Sequence, residues 1–210
     1  MPGLYRTADE KRELESRNGA LQFLLVVHEI EEWKPGQSRI TPELLCALQD
    51  RAIVNIYDCA GRFRDGPVLV KDGDAIVLDP PDWRQVPALV DEMCRYVNES
   101  WENRTPVHLA AYLMWRLNWI HPFFGGNGRT ARAISYLALC ARLGFRLPGK
   151  VTIPDLIVNR RTDYIAALRS ADAAWNSGDV NVSEMEALME SVMAAQMVEL
   201  MERATGMKYN

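Results

Sequence analysis

The chemistry-bearing residues of this chain crowd into one short segment. Ile120 to Arg132 reads Ile-His-Pro-Phe-Phe-Gly-Gly-Asn-Gly-Arg-Thr-Ala-Arg. A glycine-rich loop that runs into a helix N-terminus leaves backbone N–H groups without intrahelical partners. Glycines at 125, 126 and 128 let the backbone turn so that several of these groups converge. The helix dipole adds partial positive charge at the same place. Such a loop suits an anion, above all a phosphate. Arg129 and Arg132 stand at i and i+3, on one face of the first turn. Two guanidinium groups there suit a pyrophosphate better than a single carboxylate. His121 sits at the other end of the loop, where an imidazole beside bound phosphate can act as general base near neutral pH. On residue chemistry alone the opposing reading, a glycine-rich turn with no ligand, stays open. His28 and His108 fall inside helical patterns without such neighbours and are read as packed or solvated.

The elements that must position this loop are mostly helices. Leu14, Leu21, Leu24, Leu25, Val27 and Ile30 recur at close to helical spacing over about residues 9–33, and Pro35-Gly36 ends that run. Thr41-Pro42 opens a second helix as N-cap and first-turn proline, with Leu44, Leu45, Leu48, Ala52 and Ile56 as its buried stripe and an end near Gly61. A third helix starts at Pro87. Thr105-Pro106 repeats the cap-plus-proline start for a fourth, which ends near Ile120. A fifth spans Gly128 to Leu143 and is closed by Gly144. The fourth and fifth are apolar over much of their surface, which marks them as central. Another helix runs from about Thr162 to Trp175. Ser183-Glu184-Met185-Glu186 reads as a capping box before a last helix with Met185, Leu188, Met189, Val192, Met193 and Leu200 on one side, read as core. Residues 145–160 are the longest irregular stretch.

One segment breaks the helical pattern. Pro67-Val68-Leu69-Val70 and Ala75-Ile76-Val77-Leu78 flank Lys71-Asp72-Gly73-Asp74, which reads as a β-hairpin over 67–78. An isolated hairpin is marginal in water, so it must lean on the helices or on a partner chain. The predicted class is therefore mainly α, a helical bundle with one hairpin.

Composition narrows the function. Across 210 residues, hydrophobic types make up 48% and charged types 25%, near the globular average, so a disordered chain is not expected. The formal net charge is −4, which leaves no strongly basic nucleic-acid footprint. No apolar run is long enough to span a bilayer, and residues 1–16 lack a signal-peptide core; a cytoplasmic location is expected. Cys46, Cys59, Cys94 and Cys140 form no Cys-x-x-Cys pair and are read as reduced core thiols rather than a zinc site.

His121 to Arg132 resembles the signature of Fic-domain proteins, His-x-Phe-x-Asp/Glu-Gly-Asn-Gly-Arg-x-x-Arg, at every defined position except Gly125. Residues 103–120 and 133–148, and Arg17-Asn18-Gly19-Ala20-Leu21-Gln22, are similar to one branch of that family. The resemblance spans roughly residues 12–200. It implies one Fic-type domain over 1–210: N-terminal helices to residue 60, a hairpin flap at 61–80, a core at 81–160 with the motif loop at 121–132, and C-terminal helices from 161. The implied activity is protein adenylyltransfer, with ATP as donor of AMP to a target hydroxyl. His121 would deprotonate the target Ser, Thr or Tyr. Phe123 would anchor the loop. The Gly126 and Gly128 backbone and the Asn127 side chain would hold phosphates, with Arg129 and Arg132 on the outer ones and Tyr164 near the nucleotide. The target segment would add as a strand to the hairpin at 67–78, and homodimerisation is compatible with the family and with the hairpin.

The family holds Mg²⁺ through the acidic residue whose place Gly125 takes, so that carboxylate ligand is missing here. Three readings follow: a weak or inactive fold that still binds nucleotide, an enzyme with another donor or another carboxylate, or an engineered change at 125. Transfer of another phosphate-containing group is the alternative within the same chemistry. Many family members also carry an inhibitory helix whose Glu pairs with the motif's last Arg. Asn18 stands at that Glu's place and cannot form a charge-assisted pair, so inhibition of that kind is expected to be absent or altered.

Overall fold

The structure, a computed structural model, describes residues 3–72, 75–148 and 152–206. Its elements run in the order α1 (Ala8–Glu31), α2 (Pro42–Ile53), β1 (Val70–Asp72), β2 (Ala75–Leu78), a 3₁₀ turn (Trp83–Gln85), α3 (Val86–Glu99), α4 (Pro106–Ile120), α5 (Asn127–Leu143), α6 (Ile153–Asn159), α7 (Arg161–Asn176) and α8 (Ser183–Thr205). The mainly helical class read from the sequence is the class observed.

Helix starts follow the predicted capping chemistry where a threonine is available. Thr41 and Thr105 adopt extended backbone and accept from the N–H groups of Leu44 and His108, at 3.2 and 3.0 Å. Pro42 and Pro106 follow at the first helical position, where the missing N–H is not needed. Gly144 closes α5 in the left-handed region, φ 81°.

The antiparallel pair α4 and α5 forms the centre. Leu109, Leu113 and Leu117 of α4 and Ile134, Leu137 and Leu139 of α5 are fully buried. α1 and α2 cover one side, α3 packs on α4, and the Met185–Met189–Val192 stripe of α8 closes the core as expected. Ser135 reaches across the seam to donate to the Ala110 carbonyl at 2.7 Å. Arg116 is also fully buried, 3.2 Å from Glu92 and under the rings of Trp119 and Trp175, at 4.4 and 4.0 Å from their centroids. Aromatic faces solvate a cation that water does not reach.

Four boundaries differ from the sequence reading. α2 stops at Ile53 rather than near Gly61, because Val54 leaves the helical region and Asn55 turns at φ 63°. Ile56 is still fully buried, held by the turn rather than by the helix. Residues 145–160 are not wholly irregular. Asp155 accepts from the N–H and hydroxyl of Thr152 at 3.0 and 2.6 Å and starts the short α6. The Ser183 capping box does not form. Asn181 accepts from the Ser183 N–H at 3.0 Å, while Glu186 is drawn to His108 Nδ1 at 2.6 Å. His108, with its other nitrogen 2.9 Å from the Tyr96 hydroxyl, is thus a packed, hydrogen-bonded histidine. The hairpin is shorter than 67–78, with Val70 paired to Leu78, Lys71 to Ile76 and Asp72 to Ala75, and an irregularity between Val70 and Lys71. Pro67 lacks a donor for the ladder. The turn residues Gly73 and Asp74 lie outside the described residues.

The four cysteines are free, and burial raises the Cys94 thiol to about 12. No helix among the described residues is long and apolar enough to cross a membrane. Phe123, fully buried and packed on Phe63 at a centroid distance of 5.4 Å, ties the α4–α5 loop to this core. Phe123→Ala is expected to cost about 3–5 kcal/mol of unfolding free energy in chemical denaturation.

Candidate functional site

The loop between α4 and α5 is built from the inside outward. Asn127, almost fully buried, accepts from the Phe123 N–H at 3.0 Å and donates to the Phe123 carbonyl at 2.8 Å. These two bonds close the loop and use one of the two Nδ2 hydrogens. Gln49 of α2 braces the outside of the loop, donating to the Gly125 carbonyl at 3.0 Å and accepting from the Gly61 N–H at 2.6 Å. Gly126 is the α5 N-cap at φ 79°, and a Cβ there would meet Ile53 Cγ2 at 2.9 Å, so only glycine fits. No side chain caps α5, which leaves its first-turn N–H groups directed outward.

His121 occupies the α4 C-cap in the left-handed region, φ 50° and ψ 57°. Its Nδ1 lies 3.3 Å from the Asn118 carbonyl. We assign the proton to Nδ1 on that contact, which leaves the Nε2 lone pair as the basic atom. Burial pushes the His121 pKa down to about 4; the Asn118 carbonyl opposes this and the Arg64 charge adds to it. The imidazole is neutral and able to take a proton throughout the neutral range.

Arg64 is the residue the sequence reading missed. Only 3% exposed, it donates from Nε to the His121 carbonyl at 2.8 Å and from Nη2 to those of Pro81 and Ile120 at 2.5 and 3.4 Å. Nη1 reaches the Gly66 carbonyl at 3.2 Å, and the Arg64 N–H reaches that of Pro122 at 2.8 Å. One cation thus caps α4, holds the backbone of the base, and pins both ends of the hairpin segment. Nothing in its local sequence signals this.

A cavity of about 310 Å³ opens on His121, Gly128, Arg132 and Tyr164, with the hairpin residues Val70, Val77 and Leu78 as its other wall. Asn118 donates to the Tyr164 hydroxyl at 2.8 Å, and Tyr164 and Arg132 line the same cavity. Arg132 further lines a second cavity, of about 330 Å³, on the α1 side, together with Arg129 and Gly19. Arg129 donates to the Ala52 carbonyl at 2.9 Å and pairs with Glu15 of α1 at 3.6 Å. Asn18 points elsewhere, to the Val54 carbonyl at 2.8 Å. The structure thus brings His121, Gly128, Arg132 and Tyr164 to one cavity and turns Arg129 toward the other.

Position 125 supplies no carboxylate to hold a Mg²⁺. A Cβ at Gly125 would face only the Tyr57 ring, at 3.7 and 3.8 Å. Among the described residues no cluster of three or more His, Cys, Asp or Glu side chains could hold a metal ion.

Residues 39–139 match the family model of the Fic/DOC family. The chain is 34% identical over 124 residues to the protein adenylyltransferase Fic of Nematostella vectensis, covering 58% of this chain and 25% of that one. It spans a quarter to a third of the length of the curated relatives it matches. The fold is similar to a Fic domain-containing signalling protein of Bacteroides thetaiotaomicron, with a TM-score of 0.70, 20% identity, and coverage of 91% of this chain and 72% of that one. It is also similar to the BepC effector of Bartonella tribocorum, solved with bound AMPPNP, with a TM-score of 0.63, 17% identity and 91% coverage of each chain.

Two outcomes follow from the Arg64–His121 arrangement. Arg64→Met should cost about 2–4 kcal/mol in denaturation, because buried carbonyls lose a charged donor. It should also raise the His121 pKa, read by NMR titration, because a nearby positive charge is gone.

Proposed function

This chain belongs to the Fic/DOC family, and on that footing we propose that it transfers AMP from ATP to a hydroxyl side chain of a target protein. The hydroxyl oxygen bonds to the α-phosphorus, the bond to the bridging oxygen breaks, pyrophosphate leaves, and the hydroxyl proton passes to Nε2 of His121. The observation that carries this reading is one cavity walled by a neutral His121, the uncapped start of α5, Arg132 and the hairpin.

Each residue then has a physical task. The backbone of Gly126, Asn127 and Gly128 offers N–H groups to the phosphates, where the α5 dipole favours negative charge. Arg132 lies at the meeting of the two cavities and takes the phosphates beyond the first, with Arg129 on the farther side. Arg64 holds the His121 backbone, and Asn118 holds its ring. Tyr164, held by Asn118, shares the cavity wall with Arg132. Transition-state charge falls on these preorganised donors, since no carboxylate at 125 places a metal there.

The hairpin is the docking edge for the target in this reading. Leu69, Ile76 and Val77 are exposed, and β1 and β2 form a two-stranded sheet with open edges. A target strand adding there would gain main-chain hydrogen bonds and present its hydroxyl over His121.

Gly125 favours a second reading, nucleotide binding with little turnover, and one experiment separates the two. Purified protein is incubated with ATP labelled on the α-phosphate, with Mg²⁺, beside His121→Ala and Gly125→Asp. Label should appear on protein and fall by about 10²–10⁴-fold in His121→Ala. The Asp side chain has room beside Tyr57 and should increase incorporation. Label with Gly125→Asp alone would mean that the scaffold is competent and the binding reading holds for the unaltered chain. No label from either would overturn AMP transfer.

A further inference from the structure

The loop between α4 and α5 rests on a floor made by the last turns of α2. Gln49, fully buried, donates from Nε2 to the Gly125 carbonyl at 3.0 Å and accepts at Oε1 from the Gly61 N–H at 2.6 Å. A carbonyl needs the nitrogen of an amide and an N–H needs its oxygen, so these two partners fix the orientation of the side chain. Ile53 packs against Gly126, and the Ala52 carbonyl accepts from Arg129 at 2.9 Å.

The Gly125 carbonyl and the Gly126 N–H belong to one peptide unit. In a planar trans peptide the two point in opposite directions. Holding the carbonyl against α2 therefore aims the Gly126 N–H away from α2, and among the described residues that N–H has no acceptor. The next peptide unit is held by backbone alone, since the Gly126 carbonyl accepts from the Thr130 N–H at 2.9 Å. Gly126 is left-handed and Asn127 is helical, an alternation that makes successive N–H groups converge on an anion. The unit between 125 and 126 is the weak member of this set. Glycine stands on both sides of it, so no Cβ opposes a flip that would turn the Gly125 carbonyl oxygen into the place of the anion. Among the described residues the Gln49 amide is the only donor to that carbonyl.

We propose that Gln49 is a positioning residue of the phosphate site, its amide locking the 125–126 peptide with the Gly126 N–H turned toward the anion. This rests on the reading of the loop as a phosphate site and names the group that sets its geometry. The lock matters more because position 125 is glycine, since a side chain there would itself restrict the flip.

Binding of ATP is measured by calorimetry on the His121→Ala protein, so that turnover does not enter. In that background Gln49→Met removes both hydrogen bonds at similar volume. It should weaken ATP about tenfold to a hundredfold, the value of one hydrogen bond to a charged group. Adding Gly125→Ala should recover part of the loss, because its Cβ restricts the flip and has room beside Tyr57. Gln49→Glu gives a readout that packing alone would not move. A protonated carboxyl can donate to the Gly125 carbonyl as the amide does, while a carboxylate repels it. Affinity relative to the Gln49 parent at the same pH should therefore fall as the pH is raised. Should Gln49→Met not fold, this pH response decides by itself. Unchanged affinity in Gln49→Met overturns the assignment. So does a loss that Gly125→Ala leaves in place together with a relative affinity of Gln49→Glu that is flat with pH, which would make Gln49 a brace of the fold alone. Absence of ATP binding in the His121→Ala parent overturns the phosphate reading and this assignment with it.

Discussion

The guanidinium of Arg64 is the interaction on which the site depends. The end of a helix leaves carbonyls unpaired, and α4 ends in a buried place where water cannot satisfy them. A left-handed His121 turns the chain out of the helix, which is uncommon for a residue with a Cβ. Arg64 makes that turn stable by donating to the carbonyls of Ile120 and His121 while its own N–H serves Pro122. The same side chain holds Gly66 and Pro81, the two shoulders of the hairpin segment. A two-stranded hairpin has little stability of its own. Here it is tied to the α4–α5 loop by one buried cation, so His121 and the hairpin share a single frame.

The electrostatics of the site follow from burial more than from paired charge. Desolvation lowers the His121 pKa and keeps the imidazole neutral, which is the form a proton acceptor needs. Desolvation also acts on Arg132, which is steadied by the Tyr164 hydroxyl and the nearby Asp155. An uncapped helix start and an arginine thus face the same space as a neutral base. That division, positive where phosphate would lie and neutral where a proton would be taken, is the arrangement phosphoryl-type chemistry requires. Gly125 offers no carboxylate to this space, and its carbonyl is tied back to Gln49.

On the α1 side, the helix that would carry an inhibitory carboxylate presents Asn18, whose side chain is turned into the core toward Val54. Glu15, one turn earlier, meets Arg129 rather than Arg132. The contact is partly exposed, so it is weak. α1 therefore touches the loop through a different pair, and Arg132 keeps its approach to both cavities.

What the sequence by itself determined was everything set by short-range pattern. Threonine caps, proline starts, glycine stops and the apolar periodicity of α4 and α5 are local, and the fold followed them. So was the concentration of His121, Gly126, Asn127, Gly128, Arg129 and Arg132 in one loop, because they are neighbours in the chain. Tertiary structure decided how those residues are used. Asn127 turns inward to Phe123, Arg129 faces α1, and Glu186 leaves its expected cap for His108, each because a partner distant in sequence competes with a near one. Arg64 sits in a stretch without periodicity, and no pattern singles it out. Asn118 lies within α4, and nothing in its local sequence assigns it a role. Their roles arise only when helices far apart in the chain are packed together, because burial, not residue type, turns a hydrogen bond into a constraint.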